Sequence, residues 1–198
     1  ETIEAMTKPL KEMIIKCFNG EMKHIQNIWN KEKNYVEYVY NQIASDIGIN
    51  VAESRLIREE GRAHFASKRF DRVQNKKIHK QTVNALIGFF GKNNEFSYED
   101  IFKIIEYLEL PYSNSEQLFM QMVFNIAASN RDDHTKNFSF LMNQNGEWSL
   151  SPAYDLTFPF DPYQSFAIPH QISINGKNKE ISREDVEAVA KLLKSSLF

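Results

Sequence analysis

Apolar residues recur at two different spacings along this chain, and the change from one to the other divides it. Around residues 12–18 the run Met13, Ile14, Ile15, Cys17, Phe18 surrounds a single cation, Lys16, and predicts a strand. Over 34–47, Val36, Tyr40, Ile43 and Ile47 return at helical spacing, the stripe of an amphipathic helix that should end near Gly48. Residues 50–57 and 63–70 read as two strands, with Glu59, Glu60 and Gly61 as the turn between them. From Ile78 the helical period takes over. One helix is predicted over 81–90. A second covers 98–108, capped by Ser97 and carrying Glu99 and Asp100 in its first turn, where acids favour a helix start. A third covers 116–129, begun from Ser113 or Ser115, with Leu118, Met122 and Ile126 on one face as core. Residues 138–142 alternate like a strand, 143–146 read as a turn, and 147–150 return as its partner. The three prolines of 158–169 predict an irregular loop. A short strand at 172–174, a turn at Asn175 and Gly176, and a last helix over 183–194 capped by Ser182 complete the scheme. The switch of period near 72–77 implies an α+β protein in two parts, a sheet-containing 1–72 and a mainly helical 73–198.

One polar stretch is not needed for that packing. Arg131-Asp132-Asp133-His134-Thr135-Lys136-Asn137 is too polar for a core and too short for a linker, and it leads straight into the predicted hairpin. Asn137 stands five positions after Asp132, and Asp155 follows the hairpin. A hairpin with acids at both mouths can gather carboxylates and an amide around metal ions, an arrangement suited to phosphoryl transfer. Protein kinases use this order: a catalytic-loop Asp, an Asn five residues on, and an acid beyond a hairpin. On that pattern Asp132 accepts the proton of the attacked hydroxyl. Asn137 and Asp155 hold Mg²⁺, a hard cation that prefers oxygen ligands. Lys16 contacts phosphate, with Glu37 as its partner, and the corner 68–72 is the hinge whose backbone meets adenine. Simpler roles are open to the same residues: turns and caps for Asp132, Asp133 and Asn137, a strand edge for Lys16, and an ion-paired corner for Arg69, Asp71 and Arg72.

Bulk properties narrow the classes. At 198 residues with 42% apolar side chains and 15 Phe, the chain can build a packed core. A net charge of −2 gives no electrostatic case for direct nucleic-acid binding. The single cysteine, Cys17, excludes an intrachain disulfide and a cysteine zinc site and fits a reducing, cytoplasmic setting. No apolar run is long enough to span a membrane, and no signal-peptide pattern opens the chain.

Six stretches, in order, look like the HipA family of bacterial toxin kinases. They are IIK at 14–16, VEYVYNQIA at 36–44, HFASKRFDR at 64–72, KIHKQT at 77–82, NRDDHTKNFSFLM at 130–142 and W-x-L-x-P-A-Y-D-L at 148–156. The last two are the most specific. The resemblance implies a protein-kinase-like bilobal fold with an all-helical second lobe, and ATP- and Mg²⁺-dependent Ser/Thr phosphorylation of a protein. In characterised members the substrate is an aminoacyl-tRNA synthetase, whose modification halts translation and growth; the partner is a DNA-binding antitoxin. Carried over by position, Asp132 resembles the catalytic base, Asn137 and Asp155 the metal ligands, Lys16 the ATP-phosphate lysine, and Lys68 and Phe70 the hinge residues near adenine. His134, two after the catalytic Asp, is placed either to touch the transferred phosphate or to hold the loop by a hydrogen bond. One departure stands out: the family's Gly- and Ser-containing phosphate loop has no counterpart in residues 1–11. The expectation is that the loop lies before Glu1 or that this is a truncated part of the kinase. Two other readings compete. One is a degenerate member that binds a partner without turning over ATP. The other is a metal-dependent phosphohydrolase built on Asp132, Asp133 and Asp155.

Overall fold

A computed structural model describes residues 22–74, 76–90, 96–159 and 169–195. The strand expected around 12–18, with Lys16, lies outside them, as does all but the ends of the proline-containing loop. Among the described residues no helix is long and apolar enough to cross a membrane.

The first helix, α1 (Met22–Asp46), buries Val36, Tyr40 and Ala44 at a strict spacing of four. Ile43 and Ile47, expected on the same stripe, are 37% and 51% exposed; Ala44 takes the inner position. The helix ends as the sequence predicts. Gly48 adopts φ +90, its N–H reaches Ser45 O at 2.9 Å, and Ile49 N–H reaches Ala44 O at 3.0 Å. That pair of bonds closes a Schellman motif, which requires the left-handed backbone that glycine adopts without cost.

Strands β1 (Ser54–Glu59) and β2 (Arg62–Ser67) form an antiparallel hairpin with Glu59 opposite Arg62. Its two-residue loop has positive φ at both Glu60 and Gly61, the mirror-image turn whose twist matches the strands. A short ribbon pairs β3 (Arg72–Val73) with β4 (Lys76–Lys77).

The helix predicted over 81–90 is shorter than expected. Gln81 and Thr82 belong to β5 (His79–Thr82), which pairs with β6 (Ser139–Met142); β6 pairs in turn with β7 (Trp148–Leu150). The predicted hairpin is therefore a three-stranded sheet inside the second part of the chain. Only α2 (Val83–Phe90) is helical, with Thr82 Oγ1 accepting from Ala85 N–H at 3.3 Å as its cap.

The larger core lies under that sheet. It takes Val83 from α2, Tyr98, Ile101, Ile104 and Ile105 from α3 (Tyr98–Tyr107), Leu118 and Met122 from α4 (Tyr112–Ala127), and Val189 from α5 (Arg183–Ser195). Ser97 and Asp100 form a reciprocal capping box on α3. Neither Ser113 nor Ser115 caps α4; Pro111 stands at that position with φ −53. Ile172 and Ile174 are fully buried in the same core, joined to the rest by a bridge between Ser97 and Ser173 rather than by a full strand. A second core of Val36, Tyr40, Ala44, Ile49, Phe124, Ala153 and Leu156 fastens α1 to α4 and to the stretch that carries Asp155.

Candidate functional site

The loop with Asp132 begins where α4 stops. Ser129 adopts φ +54, its N–H bonds Ile126 O at 3.2 Å, and Asn130 N–H bonds Asn125 O at 2.9 Å, another Schellman closure. The Asn130 side chain then returns to Asn125 Oδ1 at 3.0 Å, and Asn125 Nδ2 donates to the Tyr98 hydroxyl at 2.9 Å. Tyr98 donates to Asp133 Oδ2 at 3.3 Å. Asp133 is buried and also accepts from His170 Nδ1 at 2.8 Å and from Gln171 N–H at 2.9 Å. Burial, then the Asp133 charge, pushes the Tyr98 hydroxyl well up from its ordinary value, so it remains a donor. A buried carboxylate is tolerated because its oxygens are met by hydrogen bonds. Asp133 is therefore an anchor of the loop. Its oxygens face Tyr98, His170 and Gln171, which removes it from the carboxylate trio that a phosphohydrolase would need.

Asp132, one residue earlier, is 40% exposed. Asn137 closes a short 3₁₀ turn (Thr135–Asn137), and its Nδ2 donates to the Asp132 main-chain oxygen at 2.9 Å. That bond ties the two residues of the Asp-x₄-Asn pattern together and leaves the amide oxygen of Asn137 for a cation. His134 Nε2 stands 3.8 Å from Asp132 Oδ1, and its Nδ1 is buried without a hydrogen-bond partner, so neither nitrogen anchors the loop.

A cavity of about 400 Å³ opens beside this loop, lined among others by Glu37, Lys68, Phe70, Lys80 and Asp155. Four residues chosen from the sequence thus share one pocket: Glu37, Lys68, Phe70 and Asp155. Asp132, His134 and Asn137 do not line it; they are joined to its wall by Tyr154, whose hydroxyl donates to Lys136 O at 2.6 Å. Asp155 is exposed and adopts φ +58, an unusual backbone state for a residue with a side chain and one that recurs at functional sites. The stretch before it is pinned through Ala153, which exchanges main-chain bonds with Asn50 and Ala52 at 2.8 and 3.0 Å.

At the corner, the Lys68 side chain is 72% exposed and paired with Glu53 at 2.8 Å. The Lys68 main-chain N–H already donates to Glu53 O at 2.8 Å, so its carbonyl is the main-chain group left for a ligand. Arg69 Nε bonds Asp71 Oδ1 at 2.8 Å, and that bond holds the Asp71 carboxyl below its usual range. Phe70 packs on Tyr154 with ring centres 5.4 Å apart.

Lys80 was not singled out from the sequence. Its ammonium sits 4.0 Å from the centre of the Tyr154 ring and 5.0 Å from that of Phe70, a cation–π arrangement within the pocket. Burial lowers its basicity, opposed by the Asp71 charge. The stretch 77–82 carried a family match but no spacing rule for Lys80; its place follows from the strand pairing of β5. Tyr98, Asn125, His170 and Gln171 were also missed as site residues, because each lies outside the polar stretch 131–137 and is joined to it only through the fold.

The donor chemistry fits a nucleotide with a divalent cation. An amide oxygen and a carboxylate suit Mg²⁺, and an aromatic face with a half-buried cation suits a base and its anionic tail.

The family model of the HipA-like C-terminal domain matches residues 3–196 of the sequence. Among curated proteins, one from Haemophilus influenzae named "Putative kinase" is 27% identical, over 75% of this chain and 50% of that protein. Y4dM of Sinorhizobium fredii, of the same description, is 28% identical over 63% of this chain and 34% of that protein. The chain spans half or less of the length of these relatives. Among solved structures, it superimposes on HipA of Shewanella oneidensis MR-1, solved with HipB and operator DNA. The TM-score is 0.67 at 19% identity, over 81% of this chain and 43% of that one. The Helicobacter pylori proinflammatory kinase CtkA follows, with a TM-score of 0.51 at 20% identity, over 65% of this chain and 48% of that one. These likenesses identify the α+β architecture as kinase-like.

Proposed function

This chain belongs to the HipA-like C-terminal domain family, and from that premise we propose that it is the ATP- and Mg²⁺-dependent Ser/Thr kinase region of a HipA-like toxin. The observation that carries the reading is the tie between Asp132 and Asn137, with Asp155 at the wall of an adjoining cavity and Tyr154 bonded to the loop between them. Residues 1–72 form the ATP-contacting portion and 73–198 the catalytic portion.

Each side chain has a role in this reading. Phe70 offers its ring to adenine, and the Lys68 carbonyl accepts from the exocyclic amine. Lys16, which lies outside the described residues, and Lys80 meet the anionic end of the nucleotide. Asn137 and Asp155 hold Mg²⁺, which when bound neutralises the charge that builds on the transferred phosphoryl group. Asp132 orients the attacking hydroxyl and accepts its proton. His134, beside Asp132, faces the transferred phosphate. Because phosphoryl transfer depends mainly on positioning and charge, the metal-holding acid cannot be replaced by a neutral side chain of the same size. The phosphorylated partner is a protein hydroxyl, with an aminoacyl-tRNA synthetase as the leading substrate and growth arrest as the outcome. The setting is cytoplasmic, and a DNA-binding antitoxin is the regulatory partner. The Shewanella HipA solved with HipB and operator DNA supports that last element.

Two variants test the assignment. Asp132→Asn should retain Mg²⁺-ATP binding and lose turnover by a factor on the order of 10²–10⁴. Asp155→Asn should lose turnover together with the Mg²⁺-dependent part of ATP affinity. Calorimetric titration of ATP with and without Mg²⁺ separates them. Loss of the Mg²⁺ dependence in Asp132→Asn and its survival in Asp155→Asn would reverse the two roles.

A further inference from the structure

Asp132 is reached by a segment that lies some forty residues further along the chain. After Pro169 the backbone returns to the core: Ser173 N–H bonds Phe96 O at 3.0 Å, Tyr98 N–H bonds Ser173 O at 3.0 Å, and Ile172 and Ile174 are fully buried. This return fixes Gln171 between two acids. Its main-chain N–H donates to Asp133 Oδ1 at 2.9 Å, and its side-chain Nε2 donates to Asp132 Oδ1 at 2.9 Å. A carboxylate accepts and cannot donate, so the amide must present its nitrogen here. The neighbouring His170 is locked by its own bond to Asp133 Oδ2 at 2.8 Å. Asp133, buried beneath, holds the backbone of the residue whose side chain holds Asp132. His134, by contrast, stands off at 3.8 Å from the same oxygen.

We propose that Gln171 is a positioning residue for Asp132: its amide engages Oδ1, fixes the carboxylate rotamer, and leaves Oδ2 to accept the proton of the attacked hydroxyl. The inference rests on the reading of Asp132 as the base. A hydrogen bond to one oxygen restrains a side chain that is otherwise partly in solvent, and a misplacement of about 1 Å at a reacting group costs on the order of a hundredfold in rate. Gln171 does not touch the nucleotide in this reading, so its effect belongs to turnover and not to ATP affinity.

The test uses the full-length protein, with γ-labelled ATP as donor and casein and the protein itself as acceptors. Gln171→Glu keeps the size and the main-chain N–H but sets a carboxylate against Asp132; Gln171→Leu removes the donor without adding charge. Expected is a fall in kcat of about 10- to 100-fold in Gln171→Glu and a smaller fall in Gln171→Leu. KM for ATP, the calorimetric ATP affinity and the melting temperature should stay at wild-type values. If Gln171→Glu melts lower, Gln171→Leu decides by the same split. Wild-type kcat in both, with Asp132→Asn inactive, overturns the role of Gln171 and leaves the base in place. Equal losses of kcat, ATP affinity and melting temperature in both assign Gln171 to folding and overturn the proposal. Wild-type transfer by Asp132→Asn, or no transfer by the wild-type protein, removes the base reading and this inference with it.

Discussion

The loop that carries Asp132 and the corner that carries Lys68 are linked through Tyr154, which bonds Lys136 O and packs on Phe70, yet they are held in opposite ways. The loop is held from below. Asn125, Asn130, Tyr98, Asp133 and His170 are all buried, and each hydrogen-bonds another member of the set. The corner is held from outside, by pairs such as Lys68–Glu53 and Arg69–Asp71 in which at least one side chain is well exposed. Buried hydrogen bonds are expensive to leave half made, whereas exposed ion pairs contribute little. The difference suits the two tasks proposed above. A proton acceptor must sit in one place to within fractions of an ångström. A purine, by contrast, can be gripped by a ring face and a carbonyl on a more yielding wall.

The contrast is broken most severely at Asp133. Asp133→Leu leaves the Tyr98 hydroxyl, the His170 ring nitrogen and the Gln171 N–H without an acceptor in the interior. The expected cost is about 3–5 kcal/mol, seen in thermal unfolding as a drop of roughly 10 °C. A fall of only a degree or two would mean that the network is not what holds the loop.

At the corner the ring should matter and the charge should not. Phe70→Ala should weaken ATP binding by about 1–3 kcal/mol, the usual worth of an aromatic face against a base. Lys68→Ala should bind ATP and melt as the wild type does, since its side chain is turned to Glu53 in solvent. Titration calorimetry reads both, and the reverse ranking would move adenine away from Phe70.

The smallest effect expected sharpens the comparison through an intermediate case. The segment that bears His170 and Gln171 is clamped at its far end by Asp185, a buried side chain bonded to the Ser182 N–H, Asn175 and Lys177 at 2.8–2.9 Å. The backbone bond from Ser182, then the Asn175 amide, then Lys177 hold this carboxyl far below its ordinary value. A depressed folded value stabilises fully above the unfolded value of about 3.9 and is lost as pH falls through the folded one. Melting temperatures of the wild type should therefore fall as pH drops from about 4 toward 2. Asp185→Asn should be less stable at neutral pH and show a flatter profile across that window. An unchanged slope would mean that other carboxyls set the acid limit.

Much of the fold could be read along the chain. The Gly48 stop, the Ser97 and Asp100 cap and the β1–β2 turn each depend on a few adjacent residues, and local chemistry decides them. Gln81 and Thr82 show where that reading fails. They follow a helical pattern in sequence but lie opposite Phe140 and Ser139, and a free strand edge outweighs weak propensity. The order of Asp132, Asn137 and Asp155, with the family motifs around them, points to phosphoryl transfer from sequence alone, because that loop and hairpin are continuous in the chain. That Asp133 turns inward while Asp132 turns outward was not visible, since adjacent acids have the same composition and no period. Nor were the places of Lys80 and Gln171. Strand pairing brings Lys80 to Phe70 and Tyr154, and the return of the chain through Ile172 and Ile174 brings Gln171 to Asp132. The sequence by itself determined the family and the order of the candidate residues, because both are written in contiguous motifs. Only the tertiary structure decided which acid is anchored inside and which amide reaches the exposed one, because those contacts join residues far apart in sequence that meet when the core closes.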